Sequence, residues 1–227
     1  VRSNDSAPAL KAGRRGLREN IILRAVVLEL TAMAIWWFLL KAASLSLLRC
    51  VAYVPLGLLV APPGLPPVKV DPATGDWAFN VAVNAAGRNL RTGEQQYIDS
   101  VEFAIGADSV AFFACGWFSY LALSLSAARL SRSQAKRILK GLALQTGISV
   151  LCLAAFVYIN GYGSVINTTT NRPFAIWLIK YTYHLIYLVI PFAGPFAVAL
   201  LMHPEWRAYF SPESDIRLRS DIVVSRK

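Results

Sequence analysis

WLIKYTYHLIYLVIPFAGPF, residues 177–196, is long and apolar enough to lie in a membrane, yet it carries Lys180, His184 and three tyrosines. A bilayer core about 30 Å thick needs roughly 20 mostly apolar helical residues to cross it. On a helix, positions three and four apart share a face. Trp177, Lys180, Tyr181, His184, Tyr187, Pro191 and Pro195 follow that spacing, whereas Ile176, Ile179, Ile186 and Val189 fall largely elsewhere. The polar groups therefore form a stripe. A polar stripe in lipid is costly, so it is expected to face other helices, a water-filled cleft or a partner protein.

The rest of the chain agrees with a membrane reading. Its 227 residues are 56% hydrophobic and 16% charged, a balance unusual for a soluble globule. Four windows reach spanning length. The first, residues 25–45, lies in a run without Gly or Pro from Ile21 to Val54 and continues as a helical or interfacial extension through the amphipathic ASLSLLRCVAYVPLGLLV, residues 43–60. It is too long for the apolar core of a signal peptide and is expected to be a retained anchor. The others are residues 109–127, 141–158 and 174–202.

A net charge of +10 invites a nucleic-acid reading, but the distribution of the charge excludes it. Arg2, Lys11, Arg14, Arg15 and Arg18 precede the first window, and Arg129, Arg132, Lys136, Arg137 and Lys140 fill the acid-free linker RLSRSQAKRILK after the second. Residues 61–108 carry Lys69, Arg88 and Arg91 against six acids, and residues 160–173 carry a single base, Arg172. Basic segments stay on the cytoplasmic side. Four spans with both termini cytoplasmic satisfy every loop, as in a multi-pass protein of a bacterial inner membrane. Arg14, Arg15, Arg18, Arg132, Lys136 and Arg137 would then meet anionic lipid head groups, at about 1 kcal/mol per surface cation.

The fold expected is a mainly α integral membrane protein of four transmembrane helices, with a small extracytoplasmic β element between the first and second. Its parts are a basic tail (1–20), the first helix with its extension (21–60), the β cap (61–108), a three-helix region (109–202) and a cytoplasmic tail (203–227). The prolines of APPGLPPVKV end the first helix. The run VKVDPATGDWAFNVAV reads as two strands around a Pro- and Gly-containing turn, with Trp77, Phe79, Val81 and Val83 at period two, and YIDSVEFAIG reads as a third strand. AGRNLRTGEQ is expected to be the exposed, mobile loop of that cap. NGYGSVINTTTNRP, rich in Gly, Asn and Thr, reads as a loop, and its Asn167-Thr168-Thr169 is a common chance match to a glycosylation acceptor.

Cys50, Cys115 and Cys152 fall in or near apolar runs without CxxC or CxxH spacing, so they read as packing residues, not as a disulfide framework or a zinc site. His184 and His203 are the two histidines. Nineteen residues of helix separate them by roughly 28 Å, so they cannot share a haem, and neither cofactor nor metal is expected. Glu29 is the acid deep enough in the first span to need an interhelical partner or water. No Ser-His-Asp order, GxSxG elbow, HExxH helix or Gly-rich phosphate loop occurs. Two readings of the stripe stay open. His184, helped by Lys180, is an acid-base group or binds an anionic head group or quinone. Alternatively Lys180 snorkels to the outer interface, Tyr181 and Tyr183 belong to an aromatic belt, and His184 bonds a neighbouring helix.

The order of features resembles the exosortase H-associated membrane proteins. The resemblance runs over roughly residues 23–207. It lies in the Trp-rich first span (IWWFLL), the Pro-rich exit (APPGLPP) into a β-like segment, the basic second linker, and the final pattern of Trp, then Tyr with a polar residue, then spaced prolines. Lys180 and His184 are more basic than that pattern, and no Cys, Arg and His constellation like that of the exosortases can be placed. The resemblance implies an accessory protein that contacts an enzyme and is not itself the enzyme. The reading is then an accessory or scaffold subunit whose polar stripe, Trp177, Lys180, Tyr181, His184 and Tyr187, and outside cap present a surface to an integral membrane partner or to lipid. The alternatives are a peripheral subunit of a respiratory or photosynthetic complex and a membrane enzyme using His184 and Lys180.

Overall fold

The computed structural model describes residues 6–88, 92–127, 131–169 and 173–210. Arg2, Arg91, Arg129, Arg172 and residues 211–227 lie outside the described residues, as do the side chains of Lys11, Arg14, Arg15, Arg18 and Asn167. Helix α1 (Ser6–Ile35) passes through a π turn at Trp36–Leu40 into α2 (Lys41–Leu59). At the widened turn Trp36 is buried, and its indole N–H donates to Ser44 Oγ at 3.0 Å. Pro55 is accommodated within α2. The helix closes where the Val60 N–H returns to the Leu56 carbonyl at 3.0 Å, and the chain through Pro62, Pro63, Pro66 and Pro67 leaves it in a turn, where the Leu65 N–H donates to the Pro62 carbonyl at 3.3 Å and Gly64 has φ +83°.

Three antiparallel strands follow in the order β1-β2-β3: β1 (Val68–Val70), β2 (Trp77–Arg88) and β3 (Gln95–Ile105). The hairpin legible in the sequence is present, with Val70 opposite Trp77. Its turn is closed by Asp71, whose carboxylate accepts the Ala73 N–H at 2.8 Å, and by Gly75 at φ +76°. Trp77, Phe79, Val81 and Val83 are buried, as period two requires. The register then shifts between Ala82 and Ala85 at Asn84, which has φ 47°. This is a left-handed position that Asn tolerates. The sheet is fastened to the end of α2 by the Ala82 N–H, which donates to the Val60 carbonyl at 2.8 Å.

The remaining helices are α3 (Ala107–Ser126), α4 (Arg132–Thr169), α5 (Pro173–His184), a second π turn (Leu185–Val189), α6 (Ile190–Met202) and α7 (Pro204–Phe210). Here the structure corrects a sequence expectation. The Gly- and Asn-rich loop expected from residue 160 is helix as far as Thr169, part of the same helix that begins within the polar linker at Arg132. Gly161 serves contact instead of turning, because a Cβ there would lie 2.7 Å from Val81 Cβ. Asn160 satisfies its amide inside the helix, donating to the Phe156 carbonyl at 2.7 Å.

Sheet and helices share one core, in which Leu48, Ala52 and Leu56 of α2 meet Phe79 and Val81 of β2, Phe113 of α3, and Leu153, Phe156 and Val157 of α4. Cys115 and Cys152 are buried, while Cys50 is exposed on α2. Three helices are long and apolar enough to cross a membrane: Ile21–Leu59, Ala107–Ser126 and Arg132–Gly163. The pair Ile176–Tyr187 and Ile190–Met202, bent by 54°, forms a fourth if the two halves make one broken span.

Candidate functional site

The stripe on the last span divides at the second π turn. Above it, Trp177 is 57% and Tyr181 55% exposed, and Lys180 and His184 are exposed beside them. Below it, Pro191 and Pro195 are buried, and Tyr187 packs its ring at 5.8 Å from Phe112, 6.0 Å from Phe113 and 5.2 Å from Phe156. The upper half turns Ile179 and Tyr183 inward instead, with the Tyr183 ring tilted by 32° at 5.0 Å from Phe156 and Ile179 against Gly163. The cause is geometric. A π turn takes one residue more than an α turn, and each residue of an α-helix advances its face by about 100°, so a stripe drawn at constant spacing cannot stay on one side through it. The wide turn is visible in the Ile190 N–H, which reaches back to the Leu185 carbonyl. It lies just before Pro191, which has no N–H to return.

The exposed face of α5 is an aromatic ladder with two polar heads. Phe174 and Trp177 stack at 6.1 Å and 24°, Trp177 and Tyr181 at 5.4 Å and 13°. His184 Nδ1–H donates to the Lys180 carbonyl at 2.6 Å. This bond holds the imidazole on its own helix and leaves Nε2 as the ring's outward nitrogen. Of the five residues singled out in the sequence, Trp177, Lys180, Tyr181 and His184 share this face, and Tyr187 belongs to the core.

Three further clusters tie the helices together. Lys41 pairs with Asp108 in the first turn of α3, where an acid also suits the helix dipole, and lies 4.3 Å from the centre of the Trp37 ring. Glu29 has the interhelical partner it needs. Ser119 Oγ donates to its Oε1 at 2.5 Å, while Oε2 is buried without a partner among the described residues. At the opposite end, Arg132, Lys136 and Arg137 are exposed on the first turns of α4, and Arg137 lies 3.9 Å from Glu205 of α7.

Two buried polar residues, Gln145 and His203, were given no structural role in the sequence reading. Gln145, 1% exposed, is wedged between Gly116 and Gly194, and a Cβ on Gly116 would lie 2.6 Å from its Nε2, 3.2 Å from the Pro191 carbonyl oxygen and 3.3 Å from Pro195. Pro195 cannot donate to that carbonyl, so three helices meet around it. His203 is completely buried; its Nε2 lies 3.3 Å from Tyr120 Oη, which donates to the Arg137 carbonyl at 3.3 Å, and its Nδ1 has no partner among the described residues. Burial pushes the His203 imidazole below the ordinary histidine range; Glu205 opposes the shift and Arg137 adds to it. The Trp206 indole N–H donates to the Leu123 carbonyl at 2.9 Å and fastens α7 alongside. The single side-chain amide inside the apolar 141–158 window was the available signal for Gln145, whereas His203 looked like the start of a tail.

Among the described residues no group of three His, Cys, Asp or Glu side chains is placed to hold a metal ion. No family model, curated protein or solved structure matches this chain.

Proposed function

We propose that the chain is a four-span accessory protein of a bacterial inner membrane that presents the outward face of α5 to an integral membrane partner. The observation that carries this reading is the ladder Phe174–Trp177–Tyr181, flanked by Lys180 and His184 and left uncovered while Tyr183 and Tyr187 fill the core. Aromatic rings beside a cation are the side chains enriched at membrane–water boundaries and at interface anchors.

The level of this face follows from the helix contacts. The 20 residues of α3 match a bilayer core of about 30 Å, and Lys41–Asp108 lies at one end of it. Tyr187 packs on Phe112, one turn inward from Asp108, so His184 falls near the boundary and Trp177, Lys180 and Tyr181 stand at or beyond it. In this placement the cation and imidazole need no chemistry to justify them. Lys180 reaches head groups or water, and the aromatic ladder is free to meet a partner's flank. The opposite end carries exposed Arg132, Lys136 and Arg137 and is the cytoplasmic side by the positive-inside rule, where anionic lipids would bind. The resemblance to exosortase H-associated proteins makes an exosortase-type sorting system the partner of choice.

The test is purification of the full chain in mild detergent from its native membrane, with a photo-crosslinking side chain at position 177. A single integral membrane protein is expected to crosslink and co-purify, and Trp177→Ala with Tyr181→Ala should abolish its retention without unfolding the chain. Retention unchanged in that double variant would overturn the reading. Co-purification of haem or pigment would point to a respiratory or photosynthetic assembly instead.

A further inference from the structure

The three-stranded sheet ends in an open edge. β3 pairs with β2 along one side, and among the described residues no strand pairs with the other. Eleven residues of edge, roughly 36 Å of strand, therefore offer a row of backbone N–H and C=O groups. Exposed edges are usually protected by shortness, lysine or proline, because they template pairing with another chain. β3, QQYIDSVEFAI, has no lysine, arginine or proline, and it is long.

Its chemistry selects the occupant. A row of alternating backbone donors and acceptors is matched by another extended chain; lipid tails and helices cannot supply it. Asp99 and Glu102 are both exposed on β3, Glu94 is exposed just before it, and no base accompanies them on the strand. A second copy of β3 would add only acids to acids, with no base on either strand to offset them, and like charges facing one another across strands are destabilising. A basic strand is complementary instead. We infer that the free edge of β3 binds an extended, basic segment of a partner protein by adding it as a fourth strand to the sheet. This surface is separate from the α5 face and does not depend on the placement of the helices in a bilayer.

The probe is a fluorescein-labelled octapeptide of alternating Arg and Val, titrated against the full chain in detergent micelles and read by fluorescence anisotropy. Saturable binding is expected, with backbone amides in β3 protected from hydrogen exchange in the complex. The same peptide N-methylated at every amide keeps its charge but cannot form a strand, and it should bind at least about tenfold more weakly, a difference of about 1.4 kcal/mol. Asp99→Lys combined with Glu102→Lys should weaken the Arg–Val peptide by a similar factor and favour a Glu–Val peptide. If that variant does not fold, Asp99→Asn with Glu102→Gln should give a smaller loss in the same direction. Absence of saturable binding overturns the inference. So does equal affinity for the methylated peptide, which would mean adhesion by charge alone, or an affinity indifferent to the acids in both variants.

Discussion

The two halves of the bent pair, α5 and α6, differ in composition and are used in opposite ways. In α6 the stripe positions Pro191 and Pro195 are buried against α3, close to Gly116 and Gln145. In α5 the equivalent positions Trp177, Lys180 and His184 face away from the protein. Five residues of π turn separate the two. The extra residue of the π turn thus marks the change from an internal packing face lined by prolines to an external one that carries the aromatic, Lys and His side chains.

The largest expected effect lies in the inner half. Gly116→Val places new atoms against Gln145, the Pro191 carbonyl and Pro195 and should cost about 3 kcal/mol or the fold itself, measured by denaturation in mild detergent. Deleting Leu185 should return the π turn to an α turn and rotate α5 by about 100°. In a Cys50→Ser background, Trp177→Cys should react rapidly with a maleimide and Ile179→Cys slowly, and the deletion should bring Ile179→Cys up to a rapid rate, because it moves position 179 to the exposed place of Lys180 and position 177 to the exposed place of Leu178. If Ile179→Cys stays slow, the π turn is not what divides the halves. A third effect is on pH. Burial holds the folded His203 below the ordinary 6.5, so the unfolded chain takes up the proton first as pH falls. Stability should be level above about 6.5, decline as pH falls from there to the folded value, and level off below it, and His203→Gln should flatten that decline in a thermal-unfolding series. The smallest effect belongs to the outer half, where Trp177→Ala or His184→Phe should change stability by no more than about 0.5 kcal/mol. A larger loss would mean that α5 packs inward and that the contrast between the halves is wrong.

The hairpin, the three long apolar helices and the polar stripe were legible because they rest on periodicity and length, which sequence records directly. What was not legible depended on contacts. Gly161 and Gly163 look like turn formers in one dimension, and only the approach of Val81 and Ile179 explains them as packing residues within a helix. The division of the stripe was hidden because spacing was counted at 3.6 residues per turn through a segment that does not keep it. Gln145 and His203 are recognisable as core residues only once Gly116, Gly194 and Tyr120 close around them. For Trp177, Lys180, Tyr181 and His184 the sequence placed the residues on one face, and the structure added which way that face looks.

Helix α4 is gripped at two glycines twenty residues apart. A Cβ on Gly141 would lie 1.8 Å from Tyr120 Oη, and one on Gly161 would lie 2.7 Å from Val81. Between them runs an uninterrupted helix of about 30 Å, with the β-sheet at one end and the His203 cluster at the other. Such a rod is a mechanical lever: tilting it by about 5° at Gly161 displaces the far end by roughly 2.6 Å. Tyr120, on which Gly141 closes, is also the residue that His203 faces at 3.3 Å, so the far end of the rod lies against the buried polar cluster beside α7.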